Sequence, residues 1–206
     1  WIGPDRWHGA GIYTHNNTGV DKRIDNTVIV DSFRHALQLY SDSVNHVWNY
    51  DVIDTTVIGP DIMASGAPGA DYPAMDDVVF QRLSLYDGRV FIGQYQEARG
   101  DRFSLIDSNI RHTWQFSARL MDRLTIANCN FFNGLYEFEE CDADLSTCIV
   151  GPTGINYNLV PNTYAPNFAT LTVFDWDASG TVNIDVSAFA ESGTLRVHNI
   201  ILMRTE

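Results

Sequence analysis

The chain has 206 residues and a mass of 23.2 kDa, enough for one hydrophobic core or one solenoid with a small cap. Its 45% hydrophobic and 19% charged content excludes wholesale disorder, and no apolar run is long enough to span a bilayer. The net charge of −13, from 20 Asp and 6 Glu against 12 Arg and a single Lys, repels phosphate backbones and argues against a nucleic-acid partner.

Residues 1–23 are polar and rich in Gly and Asn, and only Gly11-Ile12-Tyr13 resembles a strand. The sequon at Asn16–Thr18 is short enough to arise by chance. The chain starts at Trp1 without Met or a leader, which is expected of a processed protein or of one segment of a longer one. From Ile24 the pattern becomes regular. Val28 and Val30 share a face, Asp31-Ser32 turn the chain, and Leu37 and Leu39 point inward. The next coil carries Trp48 and Tyr50 alternating over polar neighbours. Gly59–Asp77, rich in Pro and Gly, reads as a loop extruded from the coil stack. Coils resume at Val78 and run to about Val150. Helix is nearly absent, because apolar residues alternate with period two and chain breakers recur.

After Gly151 a Pro- and Asn-rich crossing leads to three apparent strands, Thr172–Asp175, Val182–Val186 and Leu195–Ile200. The first two are joined by a hairpin turn at Asp177–Gly180, and the three are expected to close the open end of the stack. The expected organisation is therefore coils over 1–150 and a β cap over 151–206.

Two phrases 76 residues apart nearly coincide: Val30–Leu39 and Ile106–Phe116 each carry Asp-Ser, then Arg-His, then Gln between apolar residues. Apolar strand positions at Phe80, Leu105 and Ile126 step by 25 and then 21 residues. A period in the low twenties built from short alternating strands marks a solenoid of β-coils. The excess of Asp and Asn suits tight turns, which makes much of the acidity structural; a salty habitat would favour the same bias. Ile126–Cys129 aligns with Leu145–Cys148, stacking two sulfurs on adjacent coils ~4.8 Å apart. Either a Cys129–Cys148 bridge or a ladder of buried thiols fits that spacing.

The coils Asp25–Ala36, Asp101–Phe116 and Asp122–Phe138 resemble those of the right-handed parallel β-helix (pectate-lyase-like) superfamily, which includes polysaccharide lyases, glycoside hydrolases and phage tailspike depolymerases. The segment Val173–Asn199 is similar to a small β module that follows the β-helix in many secreted bacterial members. The resemblance implies an all-β, right-handed parallel β-helix with a small C-terminal β cap, an extracellular or cell- or virion-surface location, and polysaccharide as partner. It does not extend to a calcium-binding glycine-aspartate repeat, a lyase Arg-Pro signature or the paired-Asp signature of pectin hydrolases.

If Leu37, Leu39, Trp114, Phe116 and Phe138 face inward, then Gln38, Gln115 and Glu137 face outward in one column, where the resemblance implies a sugar groove. Glu137 and Glu139 share a face with backbones roughly 6.5–7 Å apart, a spacing that suits the acid and base of an inverting glycosidase. An outward acidic strand on so acidic a chain is the plainer alternative. Candidate substrate-binding residues are Gln38, Gln115, Tyr136 and Trp48, since flat rings stack on pyranose faces. Trp1, Trp7, Tyr50 and Tyr95 are further exposed-ring candidates, whereas Trp114 and Trp176 read as core.

Arg34-His35 and Arg111-His112, placed at one coil position, read as a turn preference with Arg pairing Asp31 or Asp107 rather than as a uronate clamp. His8, His15 and His46 have no metal-site spacing. Asp61, Asp71, Asp76 and Asp77 could gather Ca²⁺ but match no loop template, so no cofactor is expected. A structural or assembly subunit, stacking head to tail or as a homo-oligomer, is the alternative to a hydrolase, lyase or non-catalytic glycan binder.

Overall fold

The computed structural model describes residues 10–30, 34–41, 45–59, 61–66, 72–93, 99–132, 136–187, 189–190 and 193–198, with the side chains of 112–115 and 136 outside that description. In chain order the strands are β1 (Ala10–Thr14), β2 (Lys22–Asp25), β3 (Val28–Val30), β4 (His35–Tyr40), β5 (Val47–Ile53) and β6 (Thr56–Ile58). Then come β7 (Asp61–Ser65), β8 (Met75–Gln81), β9 (Ser84–Ile92), β10 (Gly100–Ile106), β11 (Asn109–Arg119) and β12 (Met121–Ala127). The last are β13 (Asn130–Phe131), β14 (Tyr136–Glu139), β15 (Ile149–Val150), β16 (Ile155–Pro161) and β17 (Ala169–Asp175).

Every pairing from β1 to β15 is parallel, between elements one coil apart, and the result is a parallel β-solenoid of about four turns. One wall stacks β2, β5, β8, β10 and β12. The remaining strands form a second, longer sheet that bends midway along β9 and β11. The expected ladder Phe80–Leu105–Ile126 is present residue for residue, continued backwards by Val52 and Ile24. A second inward ladder is Ile29–Val57–Leu85–Ile110–Phe131. Edge-to-face rings, Phe80 on Phe103 at 5.1 Å and Phe116 on Phe131 at 5.6 Å, fill the interior between walls.

The corner between the two sheets explains why the coils wind in register. Asn26, Asp54, Arg82, Asp107 and Asn128 all take the left-handed backbone conformation, with φ of 49°, 51°, 51°, 52° and 54°. Asn and Asp tolerate that region because their short polar side chains bond locally. The residue after each corner turns inward, and four of the five cap a carbonyl two positions back. Thr27 Oγ1, Thr55 Oγ1 and Ser108 Oγ donate to Asp25, Ile53 and Ile106 oxygens at 2.7, 3.0 and 2.7 Å, and Cys129 Sγ reaches the Ala127 oxygen at 3.2 Å.

This corner, not the Asp-Ser…Arg-His phrase, is the true register mark. Asp107-Ser108 belongs to it, but its counterpart in the first coil is Asn26-Thr27 rather than Asp31-Ser32. Through Tyr86 and Ile58, Arg111 stacks over Val30, so Arg34 and Arg111 are not equivalent. Arg111 pairs with rings rather than with Asp107, its guanidinium 4.5 Å from Tyr86 and 5.3 Å from Phe132.

Two further expectations change. The expected loop Gly59–Asp77 contains β7, wholly buried between β4 and β9, and the start of β8. Its Pro and Gly residues flank the buried apolar run Ile62-Met63-Ala64 and do not interrupt it. In the C-terminal region, β16 falls inside the expected crossing and pairs antiparallel with β17. Val182–Val186 and Leu195–His198 have no ladder partner among the described residues. The β16–β17 pair touches the coils through Thr172, which bonds Thr56 at 2.7 Å, and through Trp176, which stacks on Phe132 at 5.8 Å.

Candidate functional site

The outward column anticipated as a groove aligns Gln38 with Glu137 but not with Gln115, and its middle is buried. It runs Tyr13–Gln38–Met63–Phe91–Ser117–Glu137. Ser117 takes the place expected for Gln115, because Phe116 is the inward residue that pairs with Val90. Gln38 is only 9% exposed and its amide points at Met63 Sδ; Met63, Phe91 and Ser117 are buried as well. Tyr136 pairs with Phe116, the inward position, so its backbone is not in the outward column; the side chains of Gln115 and Tyr136 lie outside the described residues.

Glu137 and Glu139 do share a face, and one guanidinium joins them. Arg119 Nη2 lies 2.8 Å from Glu137 Oε1, and its Nε lies 2.9 Å from Glu139 Oε2. The hydrogen bond to Glu137 raises the Arg119 pKa further above its ordinary value. The space between the carboxylates, where an inverting hydrolase holds its water, is thus bridged by a cation.

Similar pairing recurs elsewhere on the surface. Arg82 grips Asp54, Arg89 grips Asp61, Arg102 grips Asp76 and Arg123 grips Asp101, each through two nitrogens and each reaching one coil back. Asp61, Asp76 and Asp77 are therefore engaged by arginine rather than gathered for calcium, and Asp71 lies outside the described residues. No group of three His, Cys, Asp or Glu among the described residues is arranged to hold a metal ion. Cys129 and Cys148 are in register, as expected, and both are free thiols. Burial pushes the Cys129 pKa up to about 12.

Aromatic side chains, in contrast, come together in a strip around the first two coils. The Tyr13 ring lies 6.4 Å from Tyr40 and 6.4 Å from His15. A parallel bridge between Asn16 and Val47 places His15 beside His46, both one residue before an inward side chain. His46 stacks on Trp48 at 4.0 Å with ring planes 13° apart. Trp48 Nε1 donates to the Pro73 carbonyl at 2.8 Å, whereas the Tyr72 side chain reaches away to Asp122. Tyr13 and Tyr72 are 51% and 60% exposed.

The strip is held by Asn16, the first residue of the apparent chance sequon. Asn16 is only 2% exposed; its Nδ2 donates to Val20 and Trp48 carbonyls, and its Oδ1 accepts from the Thr18 amide and hydroxyl. Lys22 Nζ donates to the His15 carbonyl at 2.6 Å. Tyr72 donates to Asp122 Oδ2 at 2.9 Å, and this bond raises the Tyr72 pKa. Of the expected binding residues, Trp48 is in this strip. Tyr50 is not: it turns into the core and bonds Thr14 Oγ1. Trp1, Trp7 and Tyr95 lie outside the described residues.

Fold and surface together define an all-β parallel solenoid with arginine–carboxylate pairs linking its coils. No protein-family model, no curated protein and no solved structure matches the chain. No helix among the described residues is long and apolar enough to cross a membrane.

Proposed function

We propose that this chain is a non-catalytic glycan-binding β-solenoid of the cell or virion surface that holds a polysaccharide along the strip Tyr40–Tyr13–His15–His46–Trp48. The observation that carries the reading is the strip itself. Neighbouring aromatic rings on a coil wall offer sugar rings apolar surface, while nearby carbonyl, amide and hydroxyl groups meet their hydroxyls. Rigid β-coils supply the preorganisation that such shallow sites need, because little ordering remains to be done on binding.

A glycan array followed by calorimetry tests this. Wild-type protein is expected to bind at least one polymeric glycan, and Trp48→Ala and Tyr13→Ala to weaken that binding at least tenfold, the exposed Tyr13→Ala with an unchanged melting temperature. No binding across the array would remove the reading.

The cross-coil arginine–carboxylate pairs favour a second reading, a structural subunit whose coils provide stiffness. Light scattering across salt concentrations distinguishes it: trimers or filaments without any glycan signal would leave this reading alone standing.

A further inference from the structure

The hairpin loop between β16 and β17 is built to present two rings. Asn162 Oδ1 accepts from the amides of Tyr164 and Ala165 at 2.8 and 2.9 Å. The Asn162 amide donates to the Phe168 carbonyl, and the Phe168 amide to the Ala165 carbonyl, both at 2.9 Å. These four bonds close residues 162–168 into a fixed turn. On it Tyr164 is 80% and Phe168 67% exposed, the most open Tyr and Phe side chains among the described residues. Large apolar rings left in water on a preorganised loop are characteristic of a contact surface rather than of packing.

We propose that this loop is a second glycan contact, specific for neutral polysaccharide, which acts together with the aromatic strip on one polymer; it rests on the glycan-binding reading above. The occupant follows from size and charge. Seven loop residues are far fewer than the roughly 20–30 per side of a stable protein interface, but two rings suffice for two or three sugar units. Residues 161–169 contain no ionisable side chain except the Tyr164 phenol, whose hydroxyl lies 3.4 Å from the Asp25 carboxylate. That carboxylate is bound by Arg23 at 2.8 Å, and the loop itself carries no Lys, Arg or His to hold a uronate or sulfate. Asn162, Thr163 and Asn167 offer the neutral donors and acceptors that sugar hydroxyls use. The loop is carried by the β16–β17 pair, which is itself fastened to the coils through Thr172, so both contacts are fixed on one body and a long chain that reaches both gains avidity.

The test compares wild type with the double variant Tyr164→Ala/Phe168→Ala and with Trp48→Ala, against soluble β-glucan, xylan and mannan, their tetrasaccharides, and polygalacturonate. The double variant is expected to bind the preferred neutral polymer at least about tenfold more weakly, yet its tetrasaccharide within twofold of wild type. Its melting temperature should not move, because the rings it loses are exposed. Unchanged polymer affinity in the double variant, alongside loss in Trp48→Ala, would overturn the second contact and leave the strip intact. A preference for polygalacturonate would overturn the neutral assignment. Absence of any wild-type binding would overturn this inference and the glycan reading together.

Discussion

Asp54 and Arg82 stand at the same left-handed corner of neighbouring coils and are joined by two hydrogen bonds, Nε to Oδ1 at 2.6 Å and Nη2 to Oδ2 at 2.8 Å. Backbone and side chain serve one purpose here. The corner conformation turns both chains at the same height, and the planar guanidinium then spans the coil spacing to a carboxylate in a fork-to-fork fit. The coils shorten along the chain, with cross-coil contacts at this corner joining residues 28, then 25, 21 and 19 apart, so register cannot depend on a constant repeat length. Corner geometry and cross-coil pairs keep it.

The pairs should differ in value according to burial. Asp61 is buried and its two oxygens meet Arg89, whereas Asp54 is partly hydrated. Arg89→Ala leaves a carboxylate stranded and is expected to cost about 2 kcal/mol in urea unfolding, below a fully buried pair because Arg89 is itself partly exposed. Arg82→Ala is expected to cost about 1 kcal/mol or less. Equal losses would show that burial of Asp61 is not what sets the energy.

The inward ladder should be the most sensitive part of the molecule. Phe80 is fully buried, in ladder contact with Val52 and Leu105 and edge-on to Phe103. Phe80→Ala is expected to cost about 3–5 kcal/mol, from lost burial plus the cavity it leaves. Chemical denaturation gives the value directly.

Two glycines separate backbone strain from crowding. Gly93 and Gly151 have φ of 66° and 64°, yet a Cβ on Gly93 would overlap the Arg119 carbonyl oxygen while one on Gly151 meets nothing within 4 Å. Gly151→Ala is expected to cost about 1 kcal/mol, the conformational term alone. Gly93→Ala should cost several times more, because backbone must move; similar melting temperatures for the two variants would contradict this.

Acid should destabilise the fold only below the ordinary carboxylate range. The hydrogen bond from Arg123 lowers the Asp101 pKa, and backbone amides of Ser146, of Ser179 and Gly180, and of Ser187 lower those of Asp144, Asp175 and Asp185. A carboxyl whose folded pKa lies below its unfolded value near 3.8 contributes stability that is present above that value. The contribution is lost as pH falls through the folded pKa. Melting temperature is therefore expected to be flat from pH 7 to about 5 and to drop below about 4, with a shallower drop in Asp175→Asn.

Catalysis can be checked separately from binding. With Arg119 bridging Glu137 and Glu139, incubation with a bound polysaccharide is expected to release no new reducing or unsaturated ends. Release that disappears in Glu137→Gln, at an unchanged melting temperature, would restore the hydrolytic role to this pair.

Much of the winding is legible in the amino-acid order. Phe80, Leu105 and Ile126 can be aligned by spacing because each must be apolar to reach the interior, and the Cys129–Cys148 register follows from the same alternation. The phrase shared by Val30–Leu39 and Ile106–Phe116 misleads because short Asp-Ser and Arg-His pairs recur freely in turns, and no single pair carries register. Buried β7 escapes a pattern reading because the Pro and Gly residues around it outweigh its short apolar run.

The binding surface is less legible, for a different reason. Alternation assigns a side chain to one of two faces, but it cannot say whether an outward face is open: Gln38 points outward and is nevertheless buried. Nor can it place residues from separate coils side by side, as Asn16 places His15 beside His46. The amino-acid order by itself determined that the chain winds into parallel coils, since inward apolarity is a local and periodic requirement. Which rings line up, which carboxylates meet an arginine and which corner sets the register were decided only by the tertiary structure, because each depends on neighbours about one coil away, and the coils differ in length.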